Sequence, residues 1–136
     1  MDSADTLVLQ LKNVNPVFFS ARKNNAELPA SALSDLRIRV EELTIDGEYI
    51  ENARLGAMKV RIERSAVPNG RPHMDILGEA RIEDPELGMA ELVNGALDEP
   101  DAEITVSLSA SLGGESVELV LLEEPMMYLS RVEVMS

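Results

Sequence analysis

Apolar residues recur at every second position through most of this chain, and that period limits what it can fold into. Leu7, Leu9 and Leu11 alternate with Val8, Gln10 and Lys12. Leu36, Ile38 and Val40 alternate with Arg37, Arg39 and Glu41, and Met58, Val60 and Ile62 alternate with Lys59, Arg61 and Glu63. Met74, Ile76, Gly78, Ala80 and Ile82 continue the pattern. Its cleanest stretch sets Ile104, Val106, Leu108, Ala110 and Leu112 against Thr105, Ser107, Ser109 and Ser111. Successive side chains of a strand point to opposite faces, so each stretch reads as a strand with one face buried. Val17-Phe18-Phe19 reads as a further short strand, and Tyr128, Val132 and Val134 as a last one after Pro125.

Turn chemistry separates the strands. Asn13-Val14-Asn15-Pro16, Lys23-Asn24-Asn25 and the stretch Val67-Pro68-Asn69-Gly70-Arg71-Pro72 read as turns or loops. Asp46-Gly47 before Glu48-Tyr49-Ile50 is a hairpin signal, and Gly113-Gly114 turns the serine-rich strand back into Val117, Leu119 and Leu121. One helix is predicted over about residues 85–97. Asp84 is a good N-cap, Pro85 suits the first helical position, and Glu86 complements the helix dipole. Met89, Leu92, Val93, Ala96 and Leu97 make its apolar stripe. About six to eight short strands with one helix predict a single β-rich domain spanning residues 1–136. Its form would be an antiparallel β-sandwich or a small barrel, with an OB-like barrel as a variant.

Composition narrows the chemistry. The 136 residues are 45 % hydrophobic, enough for a buried core, but only 3 % aromatic. Few aromatic faces argue against base stacking or a sugar cleft. The absence of cysteine excludes disulfides, thiol chemistry and cysteine zinc sites. His73 is the single histidine, no G-x-S-x-G elbow is present, and Leu112-Gly113-Gly114-Glu115 is a turn with no lysine beside it. These points predict neither an enzyme nor a cofactor, and no metal site. Asp98, Glu99, Asp101 and Glu103 crowd one stretch, but without the glycine and distal glutamate of an ordered calcium loop they read as solvated.

The net charge is −13. Residues 1–72 hold ten basic and ten acidic residues, and residues 73–136 hold two basic and fifteen acidic, so the second part carries all of the excess. An acidic surface repels bare phosphate backbones and anionic lipid, which argues against direct nucleic-acid or membrane binding. The asymmetry suggests a partner-facing acidic surface or head-to-tail self-association. An open edge on the serine-rich strand also predicts a homo-oligomer. Met1-Asp2-Ser3-Ala4-Asp5 lacks a basic leader and no apolar run reaches the ~18 residues of a span, so an intracellular location is expected.

Two clusters are candidate sites. Glu83, Asp84, Glu86, Asp98, Glu99 and Asp101 gather around the predicted helix as an acidic face for a protein with a basic surface. Arg37, Arg39, Lys59 and Arg61 point outward from two strands, and form a positive stripe for phosphate or nucleotide if those strands pair. The competing account is a solvated face balanced by Glu41, Glu51 and Glu63. Met126-Met127-Tyr128 reads either as core or as an adaptable contact surface.

The run Leu9-Gln10-Leu11-Lys12-Asn13-Val14-Asn15-Pro16, followed by residues 26–36 with Leu28-Pro29-Ala30 and Asp35-Leu36, resembles the opening of small tailed-phage accessory proteins. Ala90-Glu91-Leu92-Val93 and Ala102-Glu103-Ile104-Thr105-Val106 are similar to their closing pattern. Leu33-Ser34 lengthens the step from Ala32 to Asp35 relative to that family. The resemblance implies a phage-encoded protein of the host cytoplasm or virion and transfers no catalytic residue. The expected function is binding: carboxylates occlude a basic surface of a host or phage nucleic-acid-processing partner, as an inhibitor or counter-defence protein. Alternatives are a virion or tail component assembling through sheet edges, and a nucleotide sponge using the Arg/Lys stripe.

Overall fold

A computed structural model of the chain describes residues 6–64, 70–83 and 103–135. The helix expected over residues 85–97 and most of the loop that follows it lie outside the described residues. Among the described residues ten strands follow in order: β1 (Thr6–Asn13), β2 (Val17–Lys23), β3 (Ala26–Glu27), β4 (Leu36–Ile45), β5 (Glu48–Tyr49), β6 (Ala53–Glu63), β7 (His73–Glu83), β8 (Ile104–Leu112), β9 (Glu115–Leu121) and β10 (Met126–Met135). A 3-10 turn at Ala30–Asp35 leads into β4 and buries Leu33.

There are more strands than the alternation predicts because tight turns add the two-residue strands β3 and β5. Asn24 and Asn25, Asp46 and Gly47, and Gly113 and Gly114 all have positive φ. Two successive positive-φ residues make the type I′ turn, whose twist matches that of flanking strands. These turns join Lys23 to Ala26, Ile45 to Glu48 and Leu112 to Glu115.

All the ladders are antiparallel, as the period and the hairpin signals predict. One layer runs β6-β7-β1-β10 and the other β4-β8-β9-β2, with β5 pairing β4 and β3 pairing β2. Two strands stitch the layers together. β2 pairs with β7 at Val17 and Phe18, then with β9 from Phe19 to Arg22. β10 pairs with β8 at Met126 and Met127, then runs along β1. The product is a continuous sheet folded over one core, an antiparallel sandwich with barrel-like closure.

The inward faces supply that core: Leu7, Leu9 and Leu11 from β1, Leu43 and Ile45 from β4, Met74, Ile76, Ala80 and Ile82 from β7, and Ile104 and Val106 from β8. Full burial of such side chains stabilises the fold by about 1.5–3 kcal/mol each. In β10 the inward residues are Met127 and Leu129, whereas Tyr128 and Val134 are exposed. Strict alternation would have put Tyr128 and Val132 on one face. The extra residue Ser130 in the β1–β10 register reverses the parity, because Gln10 pairs with Arg131 and Leu11 with Leu129. Its hydroxyl donates to the Gln10 carbonyl at 3.1 Å. Among the described residues no helix is long and apolar enough to cross a membrane.

Candidate binding cleft at the stitched corner

The turn chemistry of Asn13 to Pro16 bends the chain from β1 into β2 beside the turn from β9 into β10. Asn13 holds this corner in shape. Its Oδ1 accepts from the Ile76 amide at 3.0 Å, and its Nδ2 donates to the Asn15 carbonyl at 2.7 Å. The Val14 amide donates to the Met126 carbonyl at 2.9 Å, and the Leu122 amide to the Phe18 carbonyl at 3.3 Å. Backbone donors that neither ladder can satisfy are thereby paired between the two turns.

A cleft of about 420 Å³ opens between them. Pro16, Phe18, Leu122 and Met126 form its apolar walls, and Glu123 and Glu124 stand at its rim. Phe18 is 43 % exposed and Leu122 56 %, and with Met126 they line one apolar surface of the cleft. The His73 ring lies against Phe18, with centroids 5.6 Å apart and planes tilted by 56°. Nearby, Lys12 Nζ sits 5.7 Å from the centre of the Tyr128 ring. In the Met126-Met127-Tyr128 run Met127 is core, while Met126 and Tyr128 face outward.

Apolar walls beneath two carboxylates suit a side chain with an aliphatic stem and a cationic head. No buried side-chain donor or acceptor lacks a partner among the described residues, and they contain no group of three potential metal ligands. His73 stands in register with Phe18 on one side and with Glu63 on the other.

Glu83 alone of the six predicted acidic residues is described. It ends β7, accepts an ion pair from Arg54 Nε at 3.1 Å, and its carbonyl accepts from the Asn52 side chain. It is thus partly neutralised rather than presented freely. Asp84, Glu86, Asp98, Glu99 and Asp101 lie outside the described residues. Arg37, Arg39, Lys59 and Arg61 are all exposed, on β4 and β6. Those two strands pack side by side, but among the described residues no ladder joins them. Away from the corner, Lys23 Nζ donates to Glu115, and this bond and its charge hold the Glu115 carboxyl below the ordinary glutamate range.

Glu123, Glu124, Phe18 and Leu122 were not singled out by sequence reasoning. Their signal is the run Leu121-Leu122-Glu123-Glu124-Pro125, where an apolar pair meets an acidic pair and the alternation fails. No family model, curated protein or solved structure matches the chain.

Proposed function

We propose that this chain is a non-catalytic binding protein whose acidic corner takes a basic segment of a protein partner. The observation that carries this reading is the pair Glu123 and Glu124 at the rim of a cleft walled by Phe18, Leu122 and Met126. An arginine or lysine of the partner lays its stem on the apolar wall and its charge against the carboxylates. The net charge of −13 attracts a basic surface and speeds encounter. By occupying cations that otherwise receive phosphate, the corner would block a nucleic-acid-processing partner, the role expected of a phage-encoded effector.

Titration calorimetry with an arginine-rich peptide tests the proposal. The double variant Glu123→Lys/Glu124→Lys changes only exposed side chains, so its circular dichroism should match the parent. Affinity should fall about tenfold or more and lose part of its salt dependence. Equal affinity in parent and variant would refute the assignment of the corner.

A further inference from the structure

The outer edge of β4, up to where β5 pairs with it, lies beside the outer edge of β6. β4 uses its other edge for β8, and β6 uses its other edge for β7. Inward residues close the gap from below. Leu36, Val60 and Ile62 line one cleft of about 330 Å³, and Ile38, Leu55 and Met58 line another of about 290 Å³. The backbones nevertheless form no ladder. Each strand carries a bulge here, between Val40 and Glu42 in β4 and between Arg54 and Ala57 in β6. A bulge breaks the regular spacing of donors and acceptors that a ladder needs.

The outer face of this seam is cationic. Arg37 and Arg39 stand on one bank, Lys59 and Arg61 on the other. Like charges on adjoining strands repel, which is a second reason for the missing ladder. Arg61 Nη2 reaches Glu63 at 2.6 Å. Among the described residues, no acidic group pairs with Arg37, Arg39 or Lys59. The flanking outward positions of β8 are Ser107, Ser109 and Ser111, which carry no charge of their own. The nearest carboxylate on β4, Glu41, accepts from the Ser109 hydroxyl at 2.6 Å. On β7, Asp75 stands in register with Arg61, and exposed Leu77 with Lys59. In a chain of net charge −13, four cations on two adjoining strands, three of them without an ion pair among the described residues, stand out.

We propose that the seam binds the phosphoryl groups of a short linear oligophosphate. Cations two residues apart on a strand repeat every ~6.6 Å, so each bank offers two contact points in line. Guanidinium forks match phosphate oxygens in pairs, and the unladdered edges add backbone N–H donors. Bases are not read here. Phe18, Phe19 and Tyr128 lie on other elements, and Tyr49 stands beyond the β4 bulge beside Glu48. The overall negative charge penalises a long polyanion more than a short one, which favours a small oligophosphate over a nucleic-acid strand. The bound anion would neutralise both banks and draw β4 and β6 together. This site shares no residue with the acidic corner, so either proposal can fail alone.

Calorimetry and thermal denaturation with sodium tripolyphosphate, against sodium chloride at equal ionic strength, test it. Tripolyphosphate should raise the melting temperature beyond the chloride control. The variant Arg39→Gln/Lys59→Gln should bind about tenfold more weakly while keeping the parent circular dichroism. A single-stranded oligonucleotide should bind more weakly than tripolyphosphate. A chloride-sized shift, or an unchanged affinity in the variant, overturns the site. Tighter oligonucleotide binding overturns the small-anion assignment. A concentration-dependent rise in molar mass that the same variant abolishes, without any tripolyphosphate effect, gives the stripe to carboxylates of a second copy instead.

Discussion

Two glycines show how differently single positions constrain this fold. Gly78 has φ +141°, and a Cβ placed there would lie 2.4 Å from the Ala57 carbonyl oxygen and 2.8 Å from Met58 Cα. Those atoms belong to the bulged part of β6, so neither can step aside without disturbing the ladder. Gly47 has φ +83° with nothing within 4 Å of a Cβ. Gly78→Ala should therefore cost about 2–3 kcal/mol by overpacking and strain together. Gly47→Ala should cost only about 1 kcal/mol, through φ alone. Urea titration checks the pair: both midpoints fall, the first much further, with the slope unchanged. Reading Gly78 as one more inward member of an alternating strand misses this, because the closeness of Ala57 is a property of the pairing and not of the β7 sequence.

At the level of strands, departures from period two are as informative as the period itself. The apolar step lengthens to three between Val40 and Leu43, Leu55 and Met58, and Leu129 and Val132. At each of these places the corresponding ladder shifts register. Two outward residues in succession keep the buried face buried only if the strand carries an extra residue there. The bulges that keep β4 and β6 apart were thus present as a pattern in the chain. The hairpins give a pH test. Lys23 ties β2 to Glu115 at the start of β9, and the Glu115 carboxyl titrates below its unfolded value. A lowered folded pKa means that the contribution is complete above the unfolded value and disappears as pH falls through the folded one. Glu115→Gln should therefore reduce stability near neutral pH slightly and flatten its decline in the acid range. Denaturation curves from about pH 3 to pH 7 would show it, and parallel profiles for parent and variant would exclude it.

Across the whole molecule, one core joins both layers, and Phe19 sits where β2 passes from β7 to β9. It is fully buried. Phe19→Ala should cost about 3–5 kcal/mol, a large share of the ~5–15 kcal/mol typical of a domain, and lower the melting temperature in a thermal circular-dichroism scan. A small effect would mean that the layers hold together without this crossing. Charge also differs between elements at this scale: Glu123 and Glu124 lie in the turn between β9 and β10, and Arg37, Arg39, Lys59 and Arg61 on β4 and β6.

Period-two alternation, positive-φ turn pairs and three-residue apolar steps are local, and they suffice to determine antiparallel strands, their buried faces and the two-residue hairpins. Local sequence decides these because each depends on the backbone conformation of adjacent residues. Strand order, the two stitching crossovers and the cleft they open depend on contacts between residues far apart in the chain, as when Asn13 meets Ile76 or Val14 meets Met126. The same is true of the seam. Arg37 and Lys59 are each ordinary outward residues of a strand, and only tertiary packing makes them neighbours across an edge that their own charge helps to keep open.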